Sequence, residues 1–286
     1  KIFVSRDNVP LLAGFATGLC ATSGLGDNQG LPAQFTVGRD VVGRWFDSLR
    51  GNVTYNKDKI IENGQAEPAY PWLDKRGHKV LSSLGYTALG LFTSEEDIKN
   101  NNICQFGETY PGELTKPGDI KYKDLNGDGK IDSNDKYFYK KAAPDVTIGF
   151  NTTLSYKKWT LAVSAHANLG NWVYDNNSSR LSLMTDLWTN NFVANRVPQA
   201  AKDNFTTAQY FSDYYVRNAS FFKLDNITLG YTFGLPKDMT LNLFGTVQNV
   251  CCASGYKGID PEVFNGIDNN IWPRPRTYVV GLKFNF

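Results

Sequence analysis

The run Arg276-Thr-Tyr-Val-Val-Gly-Leu-Lys-Phe-Asn-Phe286 decides the fold. In it Tyr278, Val280, Leu282, Phe284 and Phe286 alternate with Thr277, Val279, Gly281, Lys283 and Asn285. Successive side chains of a strand point to opposite faces, so one face is aromatic and aliphatic and the other small or polar. The edge of a soluble sandwich shares this alternation. A strand that stops on an aromatic, with nothing after it to cover the apolar face, favours the wall of a membrane barrel. On that reading Arg at Leu282 is costly, and Arg at Gly281 much less so on charge grounds alone.

Composition agrees with sheet. Of 286 residues 14% are aromatic, 26 are Gly and only 2 are Met, a balance that suits pleated strands more than helices. Length alone allows one large β domain or two ordinary ones. No run of 18 apolar residues exists, which excludes a transmembrane helix. A mean hydropathy of -0.37 leaves a β-barrel open, because half-polar strands read as soluble. A net charge of +2 and a pI near 8.2 provide no basic stripe, so nucleic acid is not an expected partner. The cysteines are Cys20, Cys104 and the adjacent Cys251-Cys252, without the spacing of a zinc site. No secretory signal precedes Lys1, so the expectation is that a leader has been removed or that the chain begins within a longer protein.

The second half resolves into strands joined by connections of two very different lengths. Residues 147–156 and 159–169 alternate in register with a strand and are linked by Lys157-Lys158, a hairpin pattern. A long Asn-rich, aromatic-bearing segment precedes the strand 221–233. Then 234–238 turns the chain into 239–250, and a further long loop leads to the terminal strand. The short turns lie on the same side as Phe286 and the long loops on the other, the division between periplasmic turns and extracellular loops in outer-membrane barrels. Tyr156, Trp159, Tyr231, Phe233, Phe284 and Phe286 gather at the short-turn level, where an interfacial aromatic girdle is expected. Earlier in the chain, a strand ending at Asn56 begins near Trp45, and 80–92 holds another, broken by Gly85 and Gly90. Residues 1–38 are Gly-rich and weakly patterned, and the direction of the strands before residue 145 is not readable. About seven strands cannot close a wide barrel, and an open edge in lipid would leave backbone groups unpaired. The fold class expected is therefore all-β, the C-terminal portion of a larger antiparallel transmembrane β-barrel.

The sharpest local signal is Asp124-Leu-Asn126-Gly-Asp128-Gly129-Lys130-Ile131-Asp132-Ser-Asn-Asp135. Oxygen donors stand at loop positions 1, 3, 5, 9 and 12, Gly at 6 and an aliphatic residue at 8, the spacing of an EF-hand calcium loop. Asp124, Asn126, Asp128, the Lys130 carbonyl, Asp132 and Asp135 are the ligands this predicts, for Ca2+ or for Mg2+ in its place. Asp135 stands where an EF-hand has Glu, as in dockerin-like loops, and flanking helices are missing. The alternative is an Asp/Asn/Gly-rich turn without metal. A saturated calcium site leaves no position for substrate, so the metal's expected role is structural.

Nothing points to an enzyme. His78 and His166 sit in no nucleophile or metal pattern, and Glu95-Glu96 reads as solvated loop charge. Trp172, Trp188, Tyr210, Tyr214, Tyr215 and Trp272 fall in the long loops. There they either stack on sugar rings or peptide side chains, or anchor the loops by packing.

Several segments resemble the C-terminal signatures of the SusC/RagA-type TonB-dependent outer-membrane transporters of Bacteroidetes. These are residues 118–132, 216–233, Gln248-Asn249 followed by 256–262, and Pro273-Arg-Pro-Arg-Thr-Tyr278. Where that family has aromatic and Thr residues after Gln-Asn, this chain has Cys251-Cys252. The resemblance implies a 22-stranded barrel, plugged by an N-terminal domain. It further implies a SusD-like surface lipoprotein over the extracellular mouth and import of oligosaccharides or peptides powered by the TonB complex. Plug and remaining strands are absent from residues 1–286, so the chain is expected to assemble with an N-terminal segment of the same transporter. The rival expectations are a secreted, calcium-stabilised carbohydrate-binding β protein and a β-structured hydrolase. The first leaves the terminal strand unexplained, and the second lacks a catalytic grouping.

Overall fold

The computed structural model describes residues 2–5, 26–38, 46–61, 74–79, 82–181, 205, 209–263, 265–269 and 273–286. Its frame is an eight-stranded antiparallel sheet. In spatial order the strands are β1 (Ile2–Ser5), β2 (Gly26–Gly38), β3 (Phe46–Ile60), β10 (Val146–Tyr156), β11 (Trp159–Leu169), β14 (Phe221–Gly234), β15 (Thr240–Ser254) and β17 (Thr277–Asn285). Each alternating run of the second half forms the strand expected of it. The pairing of β10 with β3 also settles a direction that the sequence left open. Ser48 lies opposite Thr153 and Tyr55 opposite Val146, so β3 runs from the short-turn side towards the long-loop side. The weakly patterned residues 26–38 form a long strand along β3, which the sequence reading missed.

Register sorts the side chains into rows across the sheet. Leu282, Leu243, Tyr231, Trp159 and Tyr156 stand side by side on one face, as do Tyr278, Val247, Ile227, Val163 and Leu49 with Thr152 between the last two. The opposite face carries rows such as Thr277, Gln248, Asn226, Ser164, Asn151 and Arg50. Its polar groups bond one another: Thr228 to Thr246 at 2.8 Å, and the Asn242 amide to the Thr232 hydroxyl at 2.8 Å. The apolar face has no cover among the described residues, with Val280 79% and Leu282 68% exposed and Leu229, Leu243 and Trp159 also exposed. A continuous apolar patch of this extent marks a surface meant for lipid or a partner. Trp159 and Tyr231 rings meet at 4.8 Å and Tyr231 and Phe233 at 4.7 Å, forming the expected aromatic band at the short-turn end.

The buried core lies elsewhere, in an assembly built by the long loops. Residues 80–92, expected to hold one strand, instead contribute β4 (Ser82–Tyr86) and β5 (Ala88–Leu91) to this assembly and not to the large sheet. The former pairs with β9 (Lys136–Lys141) and the latter with β7 (Ile120–Tyr122). Gly85 permits the close approach, since a Cβ there would collide with the Phe211 ring. Helix α1 (Glu95–Asn101) is capped by Ser94, whose hydroxyl accepts the Asp97 N–H at 3.1 Å. Two-residue strands β6 (Cys104–Gln105) and β8 (Lys130–Ile131) pair in parallel. A last small sheet joins β12 (Trp172–Asp175), β13 (Val216–Asn218) and β16 (Ile267–Asp268). Tyr86, Ile120, Tyr122, Ile131, Tyr174, Phe205 and Tyr215 form the core between these pieces.

Candidate functional site

The acidic loop sits on this assembly. Asp124 accepts the Gly127 N–H at 2.6 Å and the Gly129 N–H at 2.8 Å, one on each carboxylate oxygen. Asn126 accepts from Asp128, Asp128 from Lys130 and Asp132 from Asn134, a succession of side-chain turns that winds the backbone. Asp135 is fully buried and closes the loop, accepting the Leu125 N–H at 2.9 Å and the Asp132 N–H at 2.8 Å. Burial pushes its carboxyl up, against the pull of those N–H donors. Ile131 is buried and pins the turn to the core, as its loop position predicts. The Gly129 and Ile131 carbonyls accept from Cys104 and Phe106, so the Lys130 carbonyl between them points away from β6. An all-oxygen donor set with that carbonyl free of the pairing suits a hard cation. Among the described residues no three His, Cys, Asp or Glu side chains are grouped as a metal requires, and backbone N–H groups hold the carboxylates here.

The aromatic candidates divide. Tyr215 is fully buried in the core and serves packing. Tyr210 is half exposed and stacks on Phe106 at 3.6 Å, while Tyr214 packs edge-on against Tyr215. Trp172, on β12, faces a cleft at the loop-side ends of β3, β10 and β11, with the Lys140 ammonium 5.5 Å from its ring centroid. Trp188 and Trp272 lie outside the described residues, as do Trp45 and Cys20.

Three of the signature segments, far apart in sequence, meet at one point on the polar face of the sheet. Lys223 of β14 places its ammonium 2.8 Å from Asp260 and 2.8 Å from Glu262. Arg274 reaches the same two carboxylates, at 3.2 and 2.8 Å. His166, expected on the polar face of its strand, is there, with Nδ1 2.7 Å from Asp225. Asp225 occupies the bulge that interrupts β14 pairing on both sides. Asn249, in the left-handed region at φ 53°, donates to the Arg274 carbonyl at 2.8 Å, and Arg276 donates to Val250 at 2.7 Å. The loop returning from β15 is thus folded onto the wall. Sequence reasoning missed this ion cluster; its only trace was the crowding of charge in 256–262 and 273–276. Cys251 and Cys252 are free and exposed beside it, and nothing in the structure explains their presence.

No family model matches the chain. It is 32% identical to the TonB-dependent receptor SusC of Bacteroides thetaiotaomicron, a match covering 93% of this chain and 27% of that receptor. It is 27% identical to a TonB-dependent receptor of Formosa agariphila, over 85% of this chain and 27% of the receptor. Among solved structures, the RagAB peptide transporter superposes with a TM-score of 0.64 at 18% identity, over 92% of this chain and 30% of that one. That likeness shows a shared fold, a section of antiparallel barrel wall with its loops. The chain therefore spans about a quarter of the length of these receptors, and its relatives are receptors rather than enzymes. With its uncovered apolar face, its short-turn end and its matched receptor sequence, the chain belongs to the SusC/RagA-type family of TonB-dependent transporters.

Proposed function

We propose that the chain forms part of the wall and mouth of an active importer in the cell outer membrane, a barrel of about 22 strands. The observation that carries this reading is the two-faced sheet. An apolar face without cover and a polar face with self-satisfied hydroxyls and amides are what lipid on one side and a lumen on the other demand. In this reading the short turns face the periplasm and the folded loops the outside, where a SusD-like lipoprotein caps the mouth. The outer edge of β17 is unpaired among the described residues and continues into strands of the remaining transporter. Plug and TonB contact lie in that remainder, and the solute is an oligosaccharide or a peptide. The loop 124–135 binds calcium as a structural clamp, holding the loop core that carries Trp172 and Tyr210. Co-purification tests the assembly. Solubilised in detergent from native membranes, the chain should bring with it the rest of the barrel and a lipoprotein. Recovery of a lone, folded, detergent-independent chain would overturn the proposal.

A further inference from the structure

A cleft of about 600 Å³ opens at the loop-side ends of β3, β10 and β11, between these strands and the β4–β9 pair. Among the described residues its charged lining consists of Lys79, Lys140, Lys141, Asp145 and Asp213, with Trp172 on one side. Most of these charges are already spoken for. The Lys79 ammonium is 2.8 Å from Asp145. Lys141, almost fully buried, is 2.6 Å from Asp58 and 3.2 Å from Asp145. Asp213 accepts the Ala88 N–H at 2.7 Å. Lys140 differs. Among the described residues it has no carboxylate partner, and its ammonium rests only over the Trp172 ring.

Neighbours on β9 explain the difference. Lys141 is nearly fully buried beside Asp58 of β3 and Asp145, which precedes β10, whereas Lys140 is exposed in the cleft. A cation held over an indole face keeps its hydrogen-bond donors, and a carboxylate is a far stronger partner for them than the ring. Trp172 is itself fixed, because β12 is paired on both sides, with β13 and with β16. The cleft thus combines a rigid aromatic plate with one uncompensated ammonium, at the end of the wall where a solute enters.

We infer that this cleft is a subsite selective for a carboxylate-bearing solute, whose acid group meets Lys140 while the adjoining part of the molecule lies on Trp172. The inference rests on the import reading above and narrows it to acidic solutes. Two sources share this chemistry, the C-terminus of a peptide and the uronic acid unit of an oligosaccharide. The test uses the whole transporter with its lipoprotein partner, purified in detergent. Calorimetric titration compares trigalacturonate with its methyl ester, and an unblocked tripeptide with its C-terminal amide. One acid should bind about tenfold more tightly than its neutral counterpart, and the responding pair identifies the source. Lys140→Gln should abolish that difference, Trp172→Leu should weaken both members of the pair, and Lys158→Gln, exposed in the short turn at the other end of β10 and β11, should change neither. Lys140 is exposed, so its substitution leaves folding intact. Equal affinity for acid and neutral forms, an unaltered preference in Lys140→Gln, or no binding of either acid overturns the subsite. Uptake separates this from the import reading. If cells lacking the transporter accumulate the bound acid normally, import fails whatever the titration shows; if they do not, a failed titration sinks the subsite alone.

Discussion

The Lys223 ammonium stands 2.8 Å from the Asp260 carboxylate, both side chains nearly withdrawn from solvent, and so ties the loop after β15 to the polar face of β14. An isolated buried charge is costly, but here each has a second partner, Glu262 for Lys223 and Arg274 for Asp260. Three of the four segments that carry the family resemblance supply parts of this cluster, while the fourth, 118–132, lies in the loop assembly.

Lys223→Met should therefore cost about 3 kcal/mol, the scale of removing one partner from a buried pair. Hydrogen exchange at 255–263 should rise while exchange in β10 and β11 stays put. Adding Asp260→Leu should recover most of the loss. Unchanged exchange in the single variant would show that the loop is held by other contacts.

On β17 the two faces should respond differently, though not for charge alone. Leu282→Arg should cost about 2–4 kcal/mol if the position lies near the bilayer midplane. Gly281 faces the polar side, yet it is not a permissive position: a Cβ there would run into the Phe244 ring. Gly281→Ala should cost about 1–3 kcal/mol by overpacking, and Phe244→Leu in the same chain should relieve it. The midpoint of heat-induced mobility change on gels reads both effects. A neutral Gly281→Ala would contradict the packing.

Glu108 should make part of the loop assembly acid-labile. Burial alone would raise its carboxyl, but the N–H groups of Gln105, Thr115 and Leu114 outweigh that and hold it below its ordinary value of 4.5. A depressed acid contributes stability above its unfolded value and loses it as pH falls through the folded one. Exchange at 105–115 should accordingly increase below about pH 4. Glu108→Ala should abolish this dependence and cost about 2 kcal/mol by orphaning N–H donors. A pH-independent loop in the native chain would refute the assignment.

Calcium should raise the thermal midpoint of the loop assembly, by about 2.7 kcal/mol equivalent at a hundredfold excess over Kd. A chelator should reverse this, and Asp135→Asn should lose the response. A midpoint indifferent to both additions would leave 124–135 as a bare turn, held by the N–H bonds that Asp124 and Asp135 already accept.

The sequence by itself determined the wall strands of the second half and the side on which each turn between them lies. Alternation is a property of one strand, so 147–156, 159–169, 221–233 and 277–285 show it whatever they pair with. Residues 26–38 escaped because their Gly, Pro and Gln positions carry little alternation, and only pairing with β3 makes them a strand. The same holds for 80–92, where Gly85 and Gly90 broke a pattern that the fold divides between two small sheets. The acidic loop was legible because its side chains turn on neighbours two to ten residues away. The Lys223 cluster and the Lys140–Trp172 cleft were not, since their partners lie 37 and 39 residues apart in the first case and on different sheets in the second. Charges that far apart in sequence acquire meaning only when register and loop packing place them within a few ångströms. That placement belongs to the tertiary structure, because no local preference encodes which lysine of Lys140-Lys141 is buried and which is left exposed in the cleft.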